Sequence, residues 1–234
     1  TGLSNTGYQN NMFGATAGQN NTGNNNNLIG LGAGDTNSGS DNNIFGNGAG
    51  SSNVGDYNNF FGYYTGQKNN GDFNDFIGSQ AGRHLQSTST VAIGGQALFG
   101  GSTYQALNNT ALGYRAGYAA QTGADNNILL GYQAADSLTT GANNIIIGYD
   151  VEAPSNTADG QLNIGNIIFG TSIDETGTTV SEGNIGIGTT SPLAKLTVAG
   201  DTYIGGDLRA TGTVRFDTLT DGLLLADGSG NLSA

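Results

Sequence analysis

The sequence predicts an all-β protein: a Gly/Asn-rich parallel β-roll, or β-solenoid, of about ten coils, assembled as a homotrimer and followed by a small β neck or stalk module. Three observations carry this expectation. A glycine closes a pair of large apolar residues at Gly14, Gly30, Gly46, Gly62, Gly78 and Gly94, each 16 residues after the last. The series continues at Gly113, Gly131, Gly148 and Gly165 with spacings of 19, 18, 17 and 17. A period this short leaves no room for a helix, so each repeat reads as one coil of a solenoid. Paired asparagines precede most of the apolar pairs, as in "DNNIFGNGAG" at 41–50. Composition agrees: Gly is 42 of 234 residues against two Pro, and only 10% of residues are charged. That is neither a collagen-like nor a disordered chain.

Within one repeat, successive strand residues point to opposite sides. Immediately before the glycine stand Phe13, Ile29, Phe45, Phe61, Ile77, Ile93, Leu112, Leu130, Ile147 and Ile164, all large and apolar; this row is read as the core. One residue earlier stand Met12, Leu28, Ile44, Phe60, Phe76, Ala92, Ala111, Leu129 and Ile146. A second apolar stripe several coils long exceeds what soluble monomers expose. Met12, Leu28, Ile44, Phe60, Phe76, Leu129 and Ile146 are therefore expected at an interface between copies of the chain, most simply around a threefold axis.

The asparagine pairs fall at coil corners. Asn tolerates left-handed backbone, and its amide can bond the amide stacked above it. The repeat glycine supplies a conformation closed to other residues. The small pairs Ala17-Gly18, Ala33-Gly34, Ala49-Gly50, Ala81-Gly82 and Ala116-Gly117 mark the return side, where little volume is available. Coils stacked at about 4.8 Å make ten coils a rod on the order of 50 Å.

Up to Gly78 the residue three before the glycine is Asn or Asp; afterwards it is Val91, Thr110, Ile128, Ile145 and Leu162. A subdomain boundary is placed near 83–91. After Gly170 the repeat dissolves, and Leu196/Val198, Tyr203 and Val214/Phe216 alternate between glycine turns as short strands. The expected organisation is a roll head at 1–170, a transition at 171–190 and a β stalk-like module at 191–234.

A net charge of −12 argues against nucleic acid, whose phosphates call for Lys and Arg, and against an anionic membrane surface. No Cys is present, which excludes disulfides, zinc-thiolate sites and Cys nucleophiles. No segment approaches the roughly 20 apolar residues of a membrane helix. The chain opens at Thr1 without an initiator Met or signal peptide, which fits a processed product or a fragment.

Two stretches, "STVAIGGQA" (89–97) and "NTALGYRAGY" (109–118), resemble the repeating motif of YadA-like trimeric autotransporter adhesin heads. The tail "GNIGIGTTSPLAKLTVAGD" (183–201) is similar to segments of phage tail-fibre and bacterial surface proteins. The resemblance implies a trimeric parallel β-roll on a bacterial surface or phage virion, with adhesion, receptor binding or fibre building as its work. It carries no catalytic residues. The 16-residue period and the Asn-rich corners depart from the usual head pattern.

Candidate chemistry is sparse. His84, the one histidine, sits in "GRHLQST" and reads as a surface-loop residue. Asp72/Asp75 and Asp35/Asp41 could form glycosidase-like pairs, yet they stand at corners without clustered basic residues and read as solvated turn aspartates. "GLGAG" and "GNGAG" lack a GxxxxGK[ST] phosphate loop. Asp35, Asp56 and Asp72 fall at different offsets, against a regular calcium stack. Thr22, Thr36, Thr122 and Thr139 do not form the single row an ice-binding face needs. No catalytic residue, cofactor or metal is expected. Tyr63, Tyr114, Tyr132 and Tyr149 follow repeat glycines and are the candidate receptor-binding residues, since tyrosine offers rigid contact area with a polar tip. The expected function is non-enzymatic: a trimeric adhesin or tail-fibre head that attaches multivalently to a receptor or glycan. The alternative is a structural filament subunit in which 220–234 docks head to tail into the next copy.

Overall fold

The computed structural model describes residues 4–173, 177–207 and 209–212, with the backbone of two short strands at Leu225–Ala226 and Leu232–Ser233. Among the described residues, ten three-residue strands carry the repeat. They are β1 Asn11–Phe13, β2 Asn27–Ile29, β3 Asn43–Phe45, β4 Asn59–Phe61, β5 Asp75–Ile77, β6 Val91–Ile93, β7 Thr110–Leu112, β8 Ile128–Leu130, β9 Ile145–Ile147 and β10 Leu162–Ile164. Each pairs in parallel with the next and in strict register, for example Leu28 opposite Ile44 and Ile29 opposite Phe45. A tight parallel connection without a helix is possible because each coil turns through left-handed corners. Asn25, Asp41 and Asn126 have φ of 56–59°. Gly46 at φ 142° lies so close to the next coil that a Cβ there would sit 2.1 Å from the Gly62 carbonyl oxygen. The repeat glycine is thus imposed by both dihedral and proximity.

The two strand rows are exchanged relative to the expectation. Leu28, Ile44, Phe60, Phe76, Leu129 and Ile146 are enclosed by their own chain, at 0–1% exposure, and Met12 packs against the same core. They form the core of the solenoid, not an interface with other copies. The row before the glycine points outward instead, with Phe13 77% exposed and Ile29, Phe61, Ile77, Leu112 and Ile164 at 37–42%. The physical reason lies across the coil. Ala33, Ala49 and Ala81 of the return side are fully buried against the inner row, and the glycines after them are fitted to it. A Cβ on Gly50 would come within 2.5 Å of Ile44, and one on Gly82 within 2.5 Å of Phe76. Each large inner side chain so enclosed contributes about 1.5–3 kcal/mol relative to exposure. The inner phenylalanines Phe60 and Phe76 stack at 5.2 Å.

The sixth coil shows the same complementarity inverted. Its inner strand residue is Ala92, followed by Ala111, and the return position taken by Gly in earlier coils is Leu98, buried at φ 47°. Volume removed from the strand is restored from the return side, as close packing demands.

Asparagine does more than turn corners. Asn11, Asn27, Asn43 and Asn59 form an outer amide ladder that ends on Asp75, at 2.6–2.8 Å per step. Two further rows run inside the solenoid. The amides of Asn37, Asn53 and Asn69 each donate to the preceding ladder residue at 2.8–3.1 Å and to the carbonyl two residues on at 2.6–2.7 Å. In the other inner row, the Oδ1 atoms of Asn26, Asn42 and Asn58 accept the backbone N–H of Asn42, Asn58 and Asn74 in the next coil. Buried amides are tolerated because their donors and acceptors find partners.

Near residue 85 the inner rows change their side chains, within one compact unit. After Asn69 the first inner row becomes Leu85, which bridges to Tyr104 in parallel, and later Leu138. The ladder ends where Asn74 donates to Asn69 Oδ1 at 3.4 Å. The sheet itself continues unbroken across this point.

The head was expected to close at 170. Instead β11 Ile168–Gly170 runs antiparallel to β10, β12 Ile185–Ile187 runs antiparallel to β11, and β13 Leu196–Val198 is parallel to β12. The residues assigned to a transition and to the start of a stalk thus extend the same sheet. By contacts, Thr1–Gly200 is one compact unit and Asp201–Ala234 a second. In the second unit β14 Leu225–Ala226 and β15 Leu232–Ser233 pair antiparallel. Val214, Phe216 and most of the proposed docking segment 220–234 lie outside the described residues.

Candidate functional site

The feature that most distinguishes the surface is an apolar column down the outer side of the sheet. The register places Phe13 of β1 in line with Ile29, Phe45 and so on to Ile147 and Ile164 of β10. It then carries the column through Ile168 of β11, Ile187 of β12 and Val198 of β13. The reversal of chain direction leaves the column intact, since antiparallel pairing keeps facing side chains on one side. From β6 onward a second outward column joins it, made of Val91, Thr110, Ile128, Ile145 and Leu162; Gly170 of β11 breaks it, and Ile185 resumes it. In the earlier coils that position holds the outer amide ladder. Phe45 and Phe61 stack at 4.9 Å within the column, which stiffens it.

The four tyrosines do not form one site. Tyr114, Tyr132 and Tyr149 stack into a ladder beside the apolar columns, with ring centroids 5.5 and 5.0 Å apart. Tyr132 has both ring faces covered by the other two, while Tyr149 at the end of the stack is 76% exposed. Tyr63 stands apart, edge-on to Tyr64 at 4.3 Å, and the Arg83 guanidinium lies 5.0 Å from the Tyr64 ring centre.

Three of the four aspartates singled out as candidates accept hydrogen bonds from a neighbouring coil, while Oδ1 of Asp35 is buried without a partner among the described residues. Asp41 accepts from the Asn25 amide at 3.0 Å, Asp75 from the Asn59 amide at 2.6 Å, and Asp72 from the Asp56 N–H at 2.8 Å. These carboxylates hold one coil to the next. His84 sits edge-on to Phe99 at 5.7 Å, and Phe99 stacks on Tyr118 at 5.3 Å. Burial, with Arg83 and Lys68 nearby, holds the His84 pKa below its ordinary value. Among the described residues no group of acidic or histidine side chains is arranged to hold a metal ion. No helix of the described residues is long and apolar enough to cross a membrane.

Sequence reasoning missed the continuation of the column through Ile168, Ile187 and Val198, because the glycine period that marks it ends at Gly165. It also missed the exposed stacked pair Tyr57 and Phe73, 5.2 Å apart, both with left-handed φ of 57–59°. That conformation is rare for bulky residues, and the corner offset that would have located them is otherwise filled by Asn, Asp, Gln, Ser or Gly. No family model matches the chain, and no curated protein or solved structure matches it.

Proposed function

We propose that this chain is a non-enzymatic fibre protein, a homotrimeric surface adhesin or tail-fibre head, whose stiff solenoid associates with copies of itself and attaches multivalently to an extracellular surface. One observation carries the reading: the outward apolar column runs without interruption over thirteen strands, and soluble monomers rarely leave such a continuous apolar stripe in water. A stripe presented by every copy at the same height is self-complementary, and closed rotational symmetry buries it in all copies at once. Multivalency follows from the assembly. Several weak sites held on one stiff rod gain affinity through effective concentration alone.

The test is the native mass by light scattering of the full chain and of Phe45→Asp. Phe45 lies in the outward column, so the substitution leaves the coil folded while placing a charge in the association face. The wild type is expected at three times its 23.6 kDa chain mass, and Phe45→Asp at the mass of a single chain with an unchanged β spectrum. A wild type that is monomeric at tens of micromolar overturns the association reading. So does a trimer indifferent to Phe45→Asp and to the same change at Ile93.

A further inference from the structure

In the regular coils, the backbone N–H one residue past the inner ladder donates to the ladder carbonyl of the next coil. Thr22 bonds Asn37, Ser38 bonds Asn53, and Val54 bonds Asn69, at 2.9 Å each. The sixth coil is three residues longer than the 16-residue repeat, and the excess is Gly101-Ser102-Thr103, all exposed. The pattern is irregular from Leu85 onward, and here it takes a different form. The Gln105 N–H, which would bond the Ala120 carbonyl, turns to the Thr122 hydroxyl at 3.2 Å. The Ala120 carbonyl has no backbone partner, although the residue is only 1% exposed. The buried Leu85 and Leu138 carbonyls likewise lack a backbone partner among the described residues, and what sets Ala120 apart is the space beside it.

Ala120 is one of the residues around a cleft of about 480 Å³ between the inserted residues and the seventh coil, within the range of small-molecule sites. The polar walls of the cleft are Ser102, Thr103, Tyr118, Gln121 and Thr122, and no charged side chain lines it. The Thr122 hydroxyl accepts from Gln105, so its hydrogen is free to donate into the cleft. The Tyr118 ring is clamped, with Phe99 stacked on it at 5.3 Å and the Arg115 guanidinium 4.1 Å from its centre. It thus presents a rigid edge and hydroxyl and not an open face.

From this geometry we infer that the cleft beside the Gly101–Thr103 insertion binds a neutral saccharide unit. Walls carrying several hydroxyls and an amide, with the Tyr118 ring held in place, match a ligand whose every hydroxyl both donates and accepts. The absence of charge in the lining, on a protein of net charge −12, disfavours acidic sugars. The inference names the ligand class of the attachment reading and rests on that reading for its purpose, but it uses none of the residues of the association face.

The experiment is saturation-transfer NMR on the full chain with methyl glycosides of glucose, galactose, mannose and N-acetylglucosamine, with glucuronate and N-acetylneuraminate as charged comparators. Saturable binding of at least one neutral glycoside is expected, weakened roughly tenfold by Gln121→Ala, the loss of about one well-placed hydrogen bond. Deletion of 101–103 should abolish it. Gln121 makes no side-chain bond within the chain that folding needs, so this variant keeps the result readable if the deletion fails to fold. Absence of binding by every neutral glycoside overturns the inference, as does binding indifferent to Gln121→Ala or equally strong for the charged sugars. Light scattering on the same samples keeps its failure separate from that of the association reading.

Discussion

Asn53 is the residue whose removal tests most directly what holds the solenoid together. It is fully buried and makes three side-chain bonds. Its amide donates to Asn37 Oδ1 at 2.8 Å and to the Gly55 carbonyl at 2.7 Å, and its Oδ1 accepts from Asn69 at 3.1 Å. In Asn53→Ala the Gly55 carbonyl keeps its second donor, Asn42, at 3.1 Å, and the Asn69 amide keeps the Gly71 carbonyl. Asn37 Oδ1 keeps nothing. At about 1 kcal/mol net per bond, and more for an acceptor orphaned away from water, the cost is about 3 kcal/mol. Coils contact only their neighbours, so the loss is expected to be local before it is global. Native-state hydrogen exchange should show protection falling roughly a hundredfold in the coils around 37–69, with much smaller changes beyond Leu85, where the ladder has ended. Thr36→Ala is the control: its hydroxyl meets Ser52 at 3.1 Å on the exposed side, and its removal should stay within about 0.5 kcal/mol. If Asn53→Ala costs no more than this control, the inner ladders are passengers and the solenoid is held by its apolar row alone.

Two further outcomes follow from the packing and from the one histidine. Gly50→Leu should destabilise by about 3 kcal/mol, through overpacking against Ile44 together with the left-handed φ of 57°. Combining it with Ile44→Ala should recover a good part of that loss in urea unfolding, because the pair reproduces Ala92 and Leu98; simple additivity of the two costs would refute the complementarity. His84 contributes a single imidazole resonance, and its midpoint should fall below the ordinary value of about 6.5. Burial is the first cause, followed by Arg83 and Lys68. Since the folded state favours the neutral ring, this contribution is fully present above the unfolded value and is lost as pH falls through the folded midpoint. The acid-side decline in stability should therefore flatten in His84→Gln, and a midpoint at or above 6.5 contradicts the assigned environment.

The period, the strand positions and the corner chemistry were legible in the chain itself, because each follows from local covalent demands repeated at a constant interval. A glycine is required where backbones approach within a Cβ's reach, as at Gly46, and asparagine suits left-handed corners and stacked amides. The sequence could not determine which of two alternating apolar rows faces inward. Ile44 and Phe45 are equally apolar, and the choice depends on what lies across the coil, where Ala49 and Gly50 leave room for one and not the other. The same limit hid the outward column beyond Gly165, where β11 reverses direction and the glycine marker disappears while Ile168, Ile187 and Val198 keep their place in the sheet. It also hid the unpaired Ala120 carbonyl, since a missing inter-coil bond is a property of two coils brought side by side and has no signature in either one alone.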